Sequence, residues 1–445
     1  MARAGGRGLL ERVGLHRPEL RAWALYDWAN SAYWTTVAVA VFPTYFSRVV
    51  AAGLEQGVAA QRFTLATVIA QVIVALIAPA LGAMADLKGT KKRLLAGFAA
   101  FGVAATAAMF FLSGGDWVLA LVLLVAGNVG VAGSAVCYDS LLPSVAREDE
   151  YDRVSSAGYA VGYLGGGLLL VLNVAWILHP ELFGLPSGEG LSESERTLPT
   201  RLAFLSVAVW WALFTIPLLR RVPEPPPARR RDGGAQRRGL AVVRAAYGEV
   251  WQTLHELRSH RHAFVCLIAI LLYGEGIGAI IRLAGVYTAD LPGIDDSLVL
   301  KGFVFAQFIG IPCAMAFGML ADRIGTRRAI YVALAIYVLI CVLGFYLRTG
   351  RDFFVLASLV GLVQGGAQAL GRSLFASLIP RDRAAEFFGF YALGSKFAGV
   401  FGPLTFYAVA KATGENRWGI LSLIVFFVAG AIVLSRVRLE RPATR

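Results

Sequence analysis

The side chains best placed to do chemistry in this 445-residue chain are polar and charged groups set inside long apolar runs. Asp27, Asn30 and Trp34 recur at i, i+3 and i+7, so an α-helix would put them on one face, with Tyr33 beside them. Glu275 and Arg282 stand seven apart in a second run, and Gln364, Gln368 and Arg372 follow in steps of four in a third. Asn128 and Lys396 sit in two others. A charge at the centre of a bilayer costs about 2.5–3.5 kcal/mol even on insertion scales, so each of these needs a partner, a water-filled cavity or a role. Two carboxylates and three cations among several amides suit reversible binding of a zwitterion or small polar solute. Depth along the helices pairs Asp27 with Arg372 and Lys396 with Glu275, while Asp139 reads as a helix-end cap. A structural ion pair is the competing reading throughout, and the favoured one for Arg282 and Lys396.

Other chemistries find no support. The five histidines (His16, His179, His255, His260, His262) all lie in loops or at helix edges, which excludes a histidine proton relay. If protons couple to transport, Asp27 or Glu275 must carry them, because a desolvated carboxylate is the remaining group able to take one up. There is no H-E-x-x-H zinc pattern, Ser/His pair or phosphate-binding Gly-rich loop, so no enzyme activity, metal, cofactor or ATP drive is expected. Cys137, Cys266, Cys313 and Cys341 sit in apolar runs without metal spacing.

The elements that hold these residues are read from hydropathy. The chain is 57% hydrophobic and 16% charged, with a mean hydropathy of +0.63, too apolar for one soluble domain to bury. Apolar runs of spanning length number twelve, from 22–50 to 417–436. The net charge of +13 resembles a nucleic-acid binder's until its distribution is read. With the N-terminus inside, inner segments hold 30 Lys or Arg, outer segments 9 and helices 3, which predicts both termini in the cytoplasm. The 36 Arg against 6 Lys suggest a GC-rich bacterial genome and hence a plasma (inner) membrane. The expected fold is all-α and integral to the membrane, with twelve helices in two six-helix bundles, 1–221 and 262–445. A Pro-rich, basic linker, 222–261, joins them, with an apolar stripe from Val243 to Leu257 suited to the membrane surface.

The halves repeat a loop. Gly82-Ala-Met-Ala-Asp86-Leu-Lys-Gly89-Thr-Lys91-Lys92 returns 236 residues later as Gly318-Met-Leu-Ala-Asp322-Arg-Ile-Gly325-Thr-Arg327-Arg328. Gly82 and Gly318 would let a neighbouring helix approach, and Gly89 and Gly325 would permit a sharp turn. Asp86 and Asp322 could face a cation or the positive end of a helix. Ser140-Leu-Leu-Pro143 and Ser377-Leu-Ile-Pro380 echo each other too.

Twelve helices in a parallel repeat with this loop resemble the major facilitator superfamily over nearly the whole chain. The stretch Trp23-Ala-Leu-Tyr26-Asp27-Trp28-Ala-Asn30-Ser31, with Arg153-Val-Ser-Ser-Ala-Gly158-Tyr159, looks like the branch of the fungal autophagy-related vacuolar effluxer and its bacterial relatives. The resemblance implies alternating access, a cavity lined by helices 1, 4, 7 and 10, and conformational locking by Asp86, Lys91, Asp322 and Arg327 across the halves. It implies a monomeric transporter of small metabolites, with amino-acid export associated with that branch. The fifth helix has Gly165-Gly166-Gly167 but lacks the proline of the superfamily's antiporters, so drug antiport is not supported. Another cargo (sugar, organic anion or drug) on the same fold, or a non-transporting receptor, are the alternatives.

Overall fold

The computed structural model describes residues 8–55, 57–228, 260–288, 296–397 and 401–438, together with 248, 251 and 294. The stripe expected from Val243 falls almost wholly outside them. The first membrane-length segment is α1 (Pro18–Ala32), continued to Val50 by a chain that is π-wound over Tyr33–Val41 and Phe46–Val50. Then follow α2 (Val58–Lys88), α3 (Lys91–Ala108), α4 (Trp117–Ser140), α5 (Tyr151–Leu178) and α6 (Glu193–Arg221). The second half has α7 (Arg261–Thr288), α8 (Asp296–Ile324), α9 (Thr326–Phe345) and α10 (Gly350–Leu378). It ends with α11 (Ala384–Phe397), α12 (Phe401–Thr413), α13 (Asn416–Ser422) and α14 (Ile424–Ser435).

Ten helices among the described residues are long and apolar enough to cross a membrane. The other two expected spans are the 18–50 segment, with its changes of winding, and the α11–α12 pair. Neither meets that measure as one unbroken helix, so twelve is not reached on length and apolarity alone.

Helices suit this composition because each satisfies its own backbone, leaving side chains to meet lipid or neighbours. The outer surface is accordingly apolar: Leu65, Leu76, Phe101, Val122, Val209, Leu339, Val355 and Ile432 are all exposed. Such a belt would aggregate in water. Polar caps mark where helices begin at the surface. Ser192 and Glu195 form a reciprocal capping box at α6, as do Thr349 and Asp352 at α10.

The two halves meet through matched pairs of helices. On one side α2 lies against α11, and a Cβ at Gly82 would collide with the carbonyl oxygen of Ala385. On the other α5 lies against α8, and a Cβ at Gly318 would come within 2.9 Å of Ser156 Cβ. The repeated glycines therefore serve close approach between halves. Gly89 ends α2 at φ +59° and Gly325 precedes α9 at φ +89°, the left-handed backbone that makes both turns favour glycine.

This geometry yields a prediction. Gly82→Val should lower thermal stability by about 1–3 kcal/mol through overpacking against α11. Gly97→Ala, with open space around its Cα, should leave the melting temperature of the purified protein unchanged. Equal melting temperatures for wild type and Gly82→Val would contradict the close contact.

Candidate functional site

The site is built on a glycine stripe. Gly158, Gly162 and Gly166 recur every fourth residue of α5 and seat α1. Added Cβ atoms would stand 2.6 Å from Asp27 Oδ2, 2.7 Å from Ser31 Oγ and 3.1 Å from Ser31 backbone and side chain, respectively. Close packing of α1 on α5 brings Trp23 and Asp27 towards Ser155 and Tyr159. From α4 come Tyr138 and Asp139.

Into this group, all from the first half, α10 of the second half inserts Arg372. Its side chain is only 3% exposed. Nη1 donates to Asp139 Oδ1 at 3.0 Å, and Nη2 to Asp27 Oδ2 at 3.2 Å. Nε donates to Ser155 Oγ at 2.9 Å, and Nη2 also reaches the Ser155 carbonyl at 3.0 Å. Three rings surround the guanidinium carbon, whose distances to their centroids are 4.8 Å for Trp23, 5.5 Å for Tyr138 and 4.6 Å for Tyr159. Arrangements of this kind stabilise a cation by roughly 2 kcal/mol when desolvated.

The cage is itself braced. Tyr138 donates its hydroxyl to Asp27 Oδ2 at 2.8 Å and stacks on Trp23 at 4.6 Å. Trp23 Nε1 donates to the Tyr138 carbonyl at 3.2 Å. Ser155 Oγ, which accepts from Arg372, donates in turn to the Ala369 carbonyl of α10 at 2.8 Å. A Cβ at Gly158 would lie 3.1 Å from Arg372 Nη2, so that glycine makes room for the guanidinium.

The expected Asp27–Arg372 contact is present, but Arg372 is shared between two carboxylates. Asp139 was expected to cap a helix end; instead it binds Arg372, because α4 delivers it to the interface between halves. Asn30 is buried nearby on α1, while Trp34 is 39% exposed, so the two do not share one environment. Tyr33 is fully buried and tilted against Trp211, away from any open space. Asn128, Gln364 and Gln368 are half-buried on α4 and α10.

Glu275, 3% exposed, accepts the Gly402 backbone N–H at 2.6 Å, an anion at the start of α12. Arg282 is exposed and folds back over Gly278, placing its guanidinium one turn nearer Glu275. Lys396 belongs to α11, but its side chain lies outside the described residues, and with it the expected pairing with Glu275.

The repeated loops join the halves at the same end of the molecule, which we call the motif end. Asp86 Oδ1 pairs with Lys91 Nζ at 2.8 Å, and Oδ2 accepts the Glu386 N–H at 2.8 Å, at the first turn of α11. Asp86 thus meets both a cation and a helix N-terminus. Asp322 pairs with Arg153 Nε at 3.2 Å, at the first turn of α5. Asp152, its neighbour there, accepts from Thr326 at 2.6 Å and from Ser373.

The basic residues of the motif behave differently from expectation. Lys91 pairs within its own half, and Arg327 donates to the Val437 carbonyl at 2.9 Å, also within its own half. Lys92 is half-buried and Arg328 exposed; the Lys92 N–H is capped by Glu224 at 3.0 Å. The aspartates cross between halves, because each ends a helix packed against the start of another. Arg153 is the cation that meets Asp322 from the other half, and its place in the stretch before Gly158 was the available signal.

The crossing charge cluster, the apolar outer belt and the paired helix contacts define the class: a multi-pass membrane transporter with the major facilitator fold. Solved structures agree on the fold. A major facilitator transporter, FucP, in the outward conformation superposes with a TM-score of 0.67 at 14% identity, over 96% of this chain and 100% of that one. The proton:xylose symporter XylE gives 0.68 at 15% identity, over 96% of each chain.

The chain belongs to the vacuole effluxer Atg22-like family, whose model matches residues 59–444. It is 35% identical to the uncharacterized MFS-type transporter YxiO of Bacillus subtilis over 94% of each protein. It is 28% identical to autophagy-related protein 22-2 of Aspergillus oryzae over 63% of this chain, and that match spans about half of the fungal protein (48%).

The cluster predicts an asymmetric response to mutation. Arg372→Gln strands two carboxylates and should cost about 3–5 kcal/mol, whereas Asp27→Asn leaves Asp139 to neutralise the arginine and should cost less. Combining Asp27→Asn with Arg372→Gln should recover part of the Arg372→Gln loss in a thermal-unfolding double-mutant cycle. Strict additivity would show that the two side chains do not interact.

Proposed function

We propose that this protein is a secondary active or facilitative transporter of small polar metabolites, with amino acids as the favoured cargo. Two bundles, 1–221 and 262–445, would rock about the central site, with 222–261 as the cytoplasmic linker. The observation that carries this reading is the mixed-sign cluster shared by α1, α4, α5 and α10. It holds an arginine from one half against two carboxylates from the other. When the halves part, a zwitterion could offer its ammonium to Asp27 and Asp139 and its carboxylate to Arg372. Asn30, Asn128, Gln364 and Gln368 supply amides on the same helices. Trp34, which is exposed, can face an apolar side chain.

In this reading Asp86 and Asp322 hold the motif end shut, and that end faces the cytoplasm with both termini, as the distribution of Lys and Arg supports. If transport is proton-coupled, Asp27 or Glu275 would carry the proton. The chain works as a monomer in a plasma (inner) membrane. The relatives leave the cargo open: the family takes its name from a vacuole effluxer, while a fold neighbour is titled a xylose symporter.

A thermal-shift screen of the purified protein against amino acids, sugars and organic anions tests the cargo. A ligand at a hundred times its Kd stabilises by about 2.7 kcal/mol. An amino acid should raise the melting temperature and exchange across proteoliposomes in counterflow. A response confined to sugars or organic anions would overturn the amino-acid assignment.

A further inference from the structure

The cage around Arg372 has a property that an interdomain ion pair alone would not need. Every group that binds the guanidinium comes from α1, α4 and α5 of the first half. Trp23, Tyr138 and Asp27 are held by contacts that do not use Arg372: Tyr138 to Asp27, Trp23 to the Tyr138 carbonyl, and Trp23 stacked on Tyr138. The cation receptor therefore belongs to the first half, and the arginine is a ligand delivered by the second.

Withdrawing α10 would leave two carboxylates against three aromatic faces with no counter-charge among the described residues. Breaking a buried pair by removing one partner is strongly unfavourable, so a replacement cation would be drawn in. Water offers poor compensation on the ring faces, whereas an ammonium or guanidinium satisfies both rings and carboxylates. A sugar has no charge to give, and an organic anion would add a third negative group.

We propose that the first-half cage of Trp23, Asp27, Tyr138, Asp139, Ser155 and Tyr159 is the recognition subsite for a cationic group on the transported solute, and that Arg372 competes for it as a tethered surrogate. The substrate class is then amine- or guanidinium-bearing solutes, with basic amino acids and small polyamines fitting best. Closure of the motif end and occupancy of the subsite exclude each other, so the solute's cation must leave before the arginine returns. This inference rests on the transporter reading above and narrows its cargo.

The test vacates the cage and offers it a free cation. Arg372→Ala should bind methylguanidinium about tenfold or more tightly than wild type does, read by calorimetry or thermal shift. Methylurea, the same shape without the charge, should show no gain. Adding Asp139→Asn to Arg372→Ala should remove most of the gain. Equal methylguanidinium affinity in wild type and Arg372→Ala, or an equal gain for methylurea, would overturn the proposal.

A second arm uses wild-type protein, so a poorly folding variant does not decide the matter. In proteoliposome counterflow, L-arginine should be exchanged in preference to Nα-acetyl-L-citrulline, an analogue that carries no cationic group. Exchange of Nα-acetyl-L-citrulline, a sugar or an organic anion at rates equal to or above that of arginine would overturn the cationic subsite while leaving the transporter reading intact. Absence of exchange for every solute, together with methylguanidinium binding to Arg372→Ala, would instead keep the subsite and count against transport.

Discussion

A guanidinium that crosses from one half of the molecule into the other is the constraint on which the rest of this structure depends. Arg372 is costly to bury, and the protein offsets that cost with two carboxylates, a serine and three aromatic faces. None of these could converge without the stripe of Gly158, Gly162 and Gly166, which lets α1 lie directly on α5. The same requirement explains why Gly158 lacks a side chain at the point where Asp27 and Arg372 meet.

The contacts that join the halves at the motif end repeat the same principle. Asp86 against the start of α11, Asp322 against Arg153, Asp152 against Thr326 and Ser373, and Arg372 against its cage are all polar contacts between halves. Polar contacts suit an interface that must open, because water can replace those of Asp86, Asp322 and Asp152, and a cation that of Arg372, when the halves separate. The close backbone approaches at Gly82 and Gly318 are of another kind. They fix how closely α2 meets α11 and α5 meets α8, and so set the axis about which a small rotation would break the polar set.

Much of this was legible in the sequence, for physical reasons that also mark where the reading stopped. A charge in an apolar run announces itself, so Asp27 and Arg372 could be found and paired by depth. The repeated loop fixed Asp86, Asp322 and their glycines by the rarity of the pattern. Trp23, Tyr138 and Tyr159 carry no such signal, since aromatic residues are ordinary in a spanning helix. Asp139 was misread because its place near the end of α4 is equally that of a cap. Arg327 was given a crossing role by the family resemblance, but the fold hands that role to Arg153, which the sequence marked only as part of the stretch before Gly158. The change to π winding after Ala32 likewise leaves no mark in composition.

The central claim is that insertion of Arg372 into the first-half cage holds the motif end closed. Spin labels at two exposed positions on opposite halves, Arg93 on α3 and Arg323 on α8, would report that closure as a distance distribution in lipid. Wild type should show a dominant short distance. The Asp27→Asn/Arg372→Gln variant, in which the crossing pair is removed from both sides, should move a large share of the population to a longer one. An unchanged distribution in the folded variant would show that the buried arginine is a passive feature of the interface and would contradict the account.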